Sequence, residues 1–186
     1  MKAWVVRAWG DPDSMSYEDV DLGEPSPELL RIKIEAAAIN FFDALMIAGT
    51  YQTRPEFPFT PGGEVAGTVV AAPGGSQLAP GDRVMTGFGV NKLGMGGYAA
   101  EADTMPMLAR RIPDSMSFED AAAFNVVYQT AYFALHVRGD VKPITTSRPS
   151  NAMHLVERSK TSPPTGSKMT SAPFPPVIFL TSSAKS

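Results

Sequence analysis

Apolar and charged positions alternate most cleanly at Leu30-Arg31-Ile32-Lys33-Ile34-Glu35. A period of two predicts a half-buried strand, with the aliphatic side chains on the core face and the charged ones toward water. The same reading gives a first strand over residues 2–8, carried by Trp4 and Val6, and a return strand over 15–20 after the turn Asp11-Pro12-Asp13. Residues 64–72 form a Val/Ala-rich strand closed by Pro73-Gly74-Gly75. Short strands follow over 83–86, 98–102 and 107–112, the first preceded by the turn Pro80-Gly81-Asp82. Residues 51–60 hold two prolines and read as an irregular loop, and residues 87–97 carry five glycines and read as another. The period lengthens at three places. Asn40 stands as an N-cap with Asp43 three residues on. Phe41, Ala44, Leu45 and Ala48 then follow helical spacing until Gly49 stops the helix. Ser117-Phe118-Glu119-Asp120 opens a second helix, and residues 126–138 make a third that stops at Gly139. Many short strands between turns, with few short helices, predict a mainly β fold of barrel or sandwich type.

The pattern fails after Pro143. Residues 144–186 have no sustained period, and 21 of these 43 residues are Ser, Thr or Pro. Val177-Ile178-Phe179-Leu180 is the single apolar run, so most of the segment buries too little to offset its ordering entropy and reads as disordered. Charge reverses at the same place. Residues 1–143 hold 11 Lys/Arg against 18 Asp/Glu, and the remainder 5 against 1. Five cations spread over that length are too few for a nucleic-acid footprint.

Composition removes several chemistries. With no cysteine there is no thiolate nucleophile, disulfide or Cys-ligated zinc, and two histidines (His136 and His154) make a multi-histidine metal site improbable. No apolar run approaches the roughly 20 residues of a membrane span. The opening MKAWVVRAWGDPD reaches acids too early for a targeting peptide, so the expectation is a cytoplasmic protein without membrane partners.

Six segments, in this order, carry a resemblance: AAAINFFDALMIAGTY, FPFTPGGEVAGTV, PGDRV, GGYAAE, IPDSMSFEDAAAF and QTAYFAL. With them the chain resembles the amino-terminal catalytic domain of the medium-chain dehydrogenase/reductase superfamily, in its zinc-independent quinone oxidoreductase (ζ-crystallin-like) branch. The resemblance implies a GroES-like, partly open β-barrel over residues 1–124 and a helical connection over 125–143 toward a Rossmann cofactor domain. Residues 144–186 are then a non-family tail. It also implies hydride transfer from NADPH to a quinone or α,β-unsaturated carbonyl. In the zinc-dependent branch a Cys takes the place of Asn40 and a His that of Gly63, so the resemblance is to an enzyme without zinc. Reduction would then depend on positioning and on hydrogen-bond donors that steady the developing oxyanion.

By the same resemblance, Asn40 and Tyr51 are the candidate catalytic residues, and Asn40 and Thr130 the candidate cofactor contacts. Each has a plainer alternative. Asn40 is also a helix cap, Tyr51 a loop aromatic shielding the barrel, and Thr130 a mid-helix hydroxyl that bonds the preceding turn. Glu64 reads as a buried acid satisfied by backbone amides, Asp43 as a first-turn acid, and Gly62, Gly63 and Gly67 as backbone-conformation glycines.

After Lys142-Pro143 the family continues into a strand and a glycine-rich turn that receives the pyrophosphate at a helix N-terminus. Residues 144–186 contain one glycine and no such turn, so the cofactor domain is expected to be missing. The simplest account is a change of reading frame or splicing near Pro143. Two functions follow. One is a quinone or enone reductase, inactive as this chain. The other is a non-enzymatic GroES-like fragment or interaction module. Without a domain to cover them, Phe124, Tyr132, Phe133 and Leu135 would be exposed and invite self-association.

Overall fold

A computed structural model of the chain describes residues 1–87, 96–142 and the backbone of 179–181. Most of the glycine-rich loop expected over 87–97, and the tail expected to be disordered over 144–186 apart from 179–181, lie outside the described residues. One compact unit comprises Met1–Thr130 with Val177–Ser186, and a second comprises Ala131–Pro176.

In the first unit, β1 (Lys2–Val5) pairs antiparallel with β2 (Ser16–Asp19). A six-stranded antiparallel sheet runs in the order β6-β3-β4-β5-β7: Glu101–Thr104, Leu30–Ala38, Glu64–Ala71, Arg83–Gly87 and Arg110–Arg111. The sixth strand, β8 (Phe179–Thr181), pairs with Ala36–Ala38 of β3. The apolar run near the end of the tail therefore includes a short strand. Backbone bonds from Trp4 N–H to the Tyr98 carbonyl (2.8 Å) and from Val6 N–H to that of Phe59 (2.8 Å) tie the small sheet to loops of the larger one. Two short helices, α1 (Phe41–Ile47) and α2 (Phe118–Ala122), and all but the last two residues of a third, α3 (Asn125–Tyr132), complete the unit. The architecture is mainly β with short helices.

The core lies along β3. Leu30 and Ile32 pack with Val69 and Val84, while Ile34 and Ala37 pack with Val65 and Tyr98. Ala36 meets Ala66, Ile112, Ala121 and Ala122. Each fully buried Leu, Ile or Val of this set contributes about 1.5–3 kcal/mol, and each alanine less. The alternating pattern predicted one wet face for β3, yet Arg31 is buried and only Lys33 is fully exposed. Arg31 escapes water because Asp103, its register partner in β6, neutralises it.

Helix α1 corrects its expected face. Phe41 is 79% exposed, whereas Asp43, Met46 and Ile47 are buried, the last two against Val6 and Phe59. The helix is apolar almost all round, so spacing could not choose which side faces inward. Gly49 ends it at φ 68°, as its position suggested. The Ser117 hydroxyl caps α2 by accepting from Asp120 N–H at 3.0 Å. The strand expected over 107–112 is only two residues long, because Pro106–Leu108 forms a 3-10 turn. In the second unit, Phe133–Arg138 is a π-helix, so the regular helix expected to Arg138 ends at Tyr132. Phe124, Tyr132, Phe133 and Leu135 are exposed. Among the described residues no helix is long and apolar enough to cross a membrane.

Candidate active site

The turn from β3 into α1 brings Asn40 beside the start of β4. Asn40 has extended backbone (φ −107°, ψ 155°), and Asp43, one turn into α1, reaches back to accept its N–H at 2.8 Å. Asp43 also accepts the Tyr98 hydroxyl at 2.9 Å and the Gly63 N–H at 3.3 Å. The Asn40 side-chain Nδ2 donates to Glu64 Oε2 at 3.1 Å, and the other Glu64 oxygen accepts the Val126 N–H at 2.6 Å. Glu64 is thus held by one side-chain amide as well as by backbone. Gly62 serves the arrangement by conformation: its φ is 101°, and a Cβ there would lie 2.7 Å from the Tyr98 ring.

Two buried carboxyls so close together are costly to ionise. Burial pushes Asp43 above the usual carboxylate range, and the N–H of Asn40, the Tyr98 hydroxyl and the amides of Gly63 and Gly62 draw it partly back. Burial likewise raises Glu64, as does the nearby charge of Asp43, against the donors Val126, Asn40 and Asn125. Burial and the Asp43 carboxylate raise the Tyr98 hydroxyl far above its ordinary value.

These raised values predict the pH response of folding. Between the ordinary carboxyl range, about pH 4, and the higher native values, the folded chain binds more protons than the unfolded chain. Stability there falls as pH rises. Glu18 at the surface, half-buried, acts oppositely: hydrogen bonds from Arg7 and Ser16 hold it at about 2, so its contribution is lost as pH falls toward that value. Urea unfolding of the full chain from pH 4 to 8 should show declining stability, and Asp43→Asn should flatten the slope while lowering the whole curve. A mutant slope equal to the wild type would refute the assignment.

Tyr51 and Thr130 line one cleft of about 530 Å³, with Phe42, Gly87, Asn125 and Gln129 among its other walls. Tyr51 is half-buried against the Phe42 ring, centroids 5.8 Å apart. Thr130 is exposed on α3. Asn40 is not among the lining residues. It is joined to the cleft through Glu64, whose partner Val126 is part of the wall. Sequence reasoning missed Asn125 and Gln129, whose amides bond each other across one turn. Their i, i+4 spacing beside Thr130 was the available signal. It also missed the Asp43–Tyr98 contact, which joins residues 55 apart and leaves no local trace.

Much of the chain around the cleft falls in a recognisable domain class: residues 26–111 match the alcohol dehydrogenase GroES-like domain. Among curated relatives, a quinone oxidoreductase-like protein 2 homolog from Nematostella vectensis is 42% identical over 118 residues, 61% of this chain and 30% of that protein. A solved probable oxidoreductase from Mycobacterium abscessus superposes with a TM-score of 0.70 at 36% identity, over 76% of this chain and 44% of that one. The quinone oxidoreductase from Thermus thermophilus, solved alone and with NADPH, gives a TM-score of 0.62 at 34% identity over 77% and 42%. The chain belongs to the medium-chain dehydrogenase/reductase superfamily and carries its GroES-like domain. It spans less than half the length of the curated relatives it matches.

Proposed function

We propose that this chain forms the acceptor-side wall of a zinc-independent, NADPH-dependent reductase acting on a quinone or α,β-unsaturated carbonyl. The carrying observation is the cleft that brings Tyr51 and Thr130 together with the apolar side chains of Phe42, Met107 and Leu108. Such a wall suits a flat ring: aromatic and aliphatic surface holds its face, and the phenol, hydroxyl and amide groups of Tyr51, Thr130 and Gln129 can donate to a carbonyl oxygen. At the two positions where zinc-bearing members place a thiolate and an imidazole, this chain has an amide, Asn40, and a glycine, Gly63. That donor set suits hydrogen bonding better than zinc.

The described residues fit NADPH only in part. The cleft would take a nicotinamide-sized ring, but among them no glycine-rich turn opens a helix to receive a pyrophosphate. NADPH supplies the hydride when bound. The residues here orient the acceptor, exclude water from one face and donate to the oxygen that gains charge. The chain by itself therefore gives little or no turnover. A second reading, a non-enzymatic interaction module that self-associates, is supported by the exposed, stacked Phe124 and Tyr128 rings, 4.4 Å apart.

Equilibrium binding of a small p-quinone to the 186-residue chain, with NADPH oxidation followed in parallel, tests the choice. The expected result is weak quinone binding that Tyr51→Ala and Thr130→Ala each reduce roughly tenfold, the loss of about one good contact, with oxidation at background. Absence of quinone binding, together with concentration-dependent association and binding of a hydrophobic dye, would favour the second reading. Sustained NADPH oxidation would overturn the claim that this chain is inactive alone.

A further inference from the structure

Glu64 is the buried charge that the proposed chemistry leaves unused, and its two oxygens point to different parts of the site. One accepts the Val126 N–H at 2.6 Å, in the first turn of α3. The other accepts Asn40 Nδ2 at 3.1 Å, where β3 turns into α1. The residue is 1% exposed, so water cannot replace either partner. Its backbone is fixed as the first residue of β4, in register with Gly87 of β5. Helix α3 has no acidic residue in its own first turn. Glu64 therefore supplies from outside an acceptor for one of the first-turn N–H groups that a helix leaves unpaired.

We infer that Glu64 is a positioning residue of the cleft: one carboxylate locks the Asn40 side-chain amide to the first turn of α3. This rests on the reading of the cleft as an acceptor site. Both Glu64 oxygens accept here, and Asn40 turns its Nδ2 toward one of them, which sets the orientation of the amide. The same carboxylate holds Val126, and through the helix it sets where Gln129 and Thr130 stand in the cleft wall. A purely structural acid could satisfy both oxygens with backbone donors. This one commits an oxygen to a candidate site residue. Asp43 plays no equivalent part, because its bonds go to the Asn40 backbone, Gly63 and Tyr98, none of which lies on α3.

Glu64→Gln separates coupling from bulk stability. Glutamine has the same length, but it can satisfy Val126 N–H or Asn40 Nδ2 with its oxygen and then presents its own NH₂ to the other donor. In the double variant Asn40→Asp/Glu64→Gln, amide and carboxylate are exchanged across the same contact, so the hydrogen bond and the local charge are both restored. The readouts are site-resolved amide exchange and the Asn40 side-chain NH₂ resonances, on the full chain without quinone or cofactor.

In Glu64→Gln, exchange from Val126 to Thr130 should rise roughly tenfold, as for one lost hydrogen bond to a charged acceptor. The Asn40 side-chain signals should shift, and β3–β4 amides should stay within about twofold as a separately stable region. The double variant should recover most of the protection on α3. Unchanged α3 exchange, equal acceleration in β3–β4, or a double variant no better than the sum of its single changes would each overturn the proposal. If Glu64→Gln does not fold, Asn40→Ala makes the test from the other partner: it should loosen α3 while sparing β3–β4, and an unaffected α3 refutes the coupling. Quinone binding is measured separately. Its absence would defeat the acceptor-site reading without moving these readouts, and its persistence in a variant with unchanged α3 exchange would defeat only the coupling.

Discussion

Gly67→Ala is expected to abolish cooperative folding or to cost at least about 3 kcal/mol, the range of severe overpacking. Gly67 sits in β4 opposite Ile34 of β3, at the centre of the six-stranded sheet. A Cβ built there would lie 2.0 Å from the Lys33 carbonyl oxygen and 2.9 Å from its carbon. Both are backbone atoms, so no rotamer change relieves the contact; β3 and β4 would have to separate. The register of the two strands shifts just beyond this point, between Ile34 and Ala36, as at a bulge, where glycine is often needed for close backbone approach. Against a total stability of about 5–15 kcal/mol for a typical domain, such a loss is decisive. Gly74→Ala is the matched control, since a Cβ there meets nothing within 4 Å. Circular dichroism melts should show a normal transition for Gly74→Ala and a lost or strongly lowered one for Gly67→Ala. Equal melting of the two would refute the close-approach argument.

The second large effect lies one strand away. Asp103→Ala is expected to destabilise by about 3–5 kcal/mol, because it strands a buried guanidinium. Arg31 donates Nε to Asp103 Oδ1 at 2.8 Å and Nη2 to Oδ2 at 3.0 Å, while Nη1 reaches the Gly23 carbonyl at 2.6 Å. Both side chains are at most 10% exposed. The pair therefore bolts β3 to β6 and fastens the loop before β3. Its net contribution is smaller than the cost of breaking it, since bringing both charges out of water offsets most of their attraction. The double change Arg31→Leu/Asp103→Leu should accordingly lose less than Asp103→Ala alone. Urea midpoints of the three proteins check this, and a double variant less stable than the single one would show that the pair is a net stabiliser.

Much of the fold was legible without coordinates. The alternation over Leu30–Glu35, the helix after Asn40, the stop at Gly49 and the Ser117 cap are all written in patterns a few residues long. Short-range chemistry leaves short-range patterns. What failed depended on partners far along the chain. Arg31 looked solvated because nothing near it announces Asp103, 72 residues away. The inward face of α1 was misassigned because Phe41 and Leu45 are as apolar as Met46 and Ile47, and only the Val6–Phe59 surface decides between them.

The candidate site divides in the same way. By itself the sequence determined the class of the domain and its candidate residues. The turn at Gly62 and the cap at Asn40 follow from local backbone conformation, and the order of the motifs carries the resemblance, whereas Gly67 answers the close approach of the Lys33 carbonyl. The tertiary structure decided how those residues meet. It placed Tyr51 and Thr130 on one cleft, withdrew Asn40 from the wall, and joined it to that wall through Glu64. Such contacts span 24 and 62 residues of chain, and they arise only when β4 is paired between β3 and β5 with α3 seated at its start. A buried carboxylate chooses its donors by position in space, and a linear pattern does not contain that position.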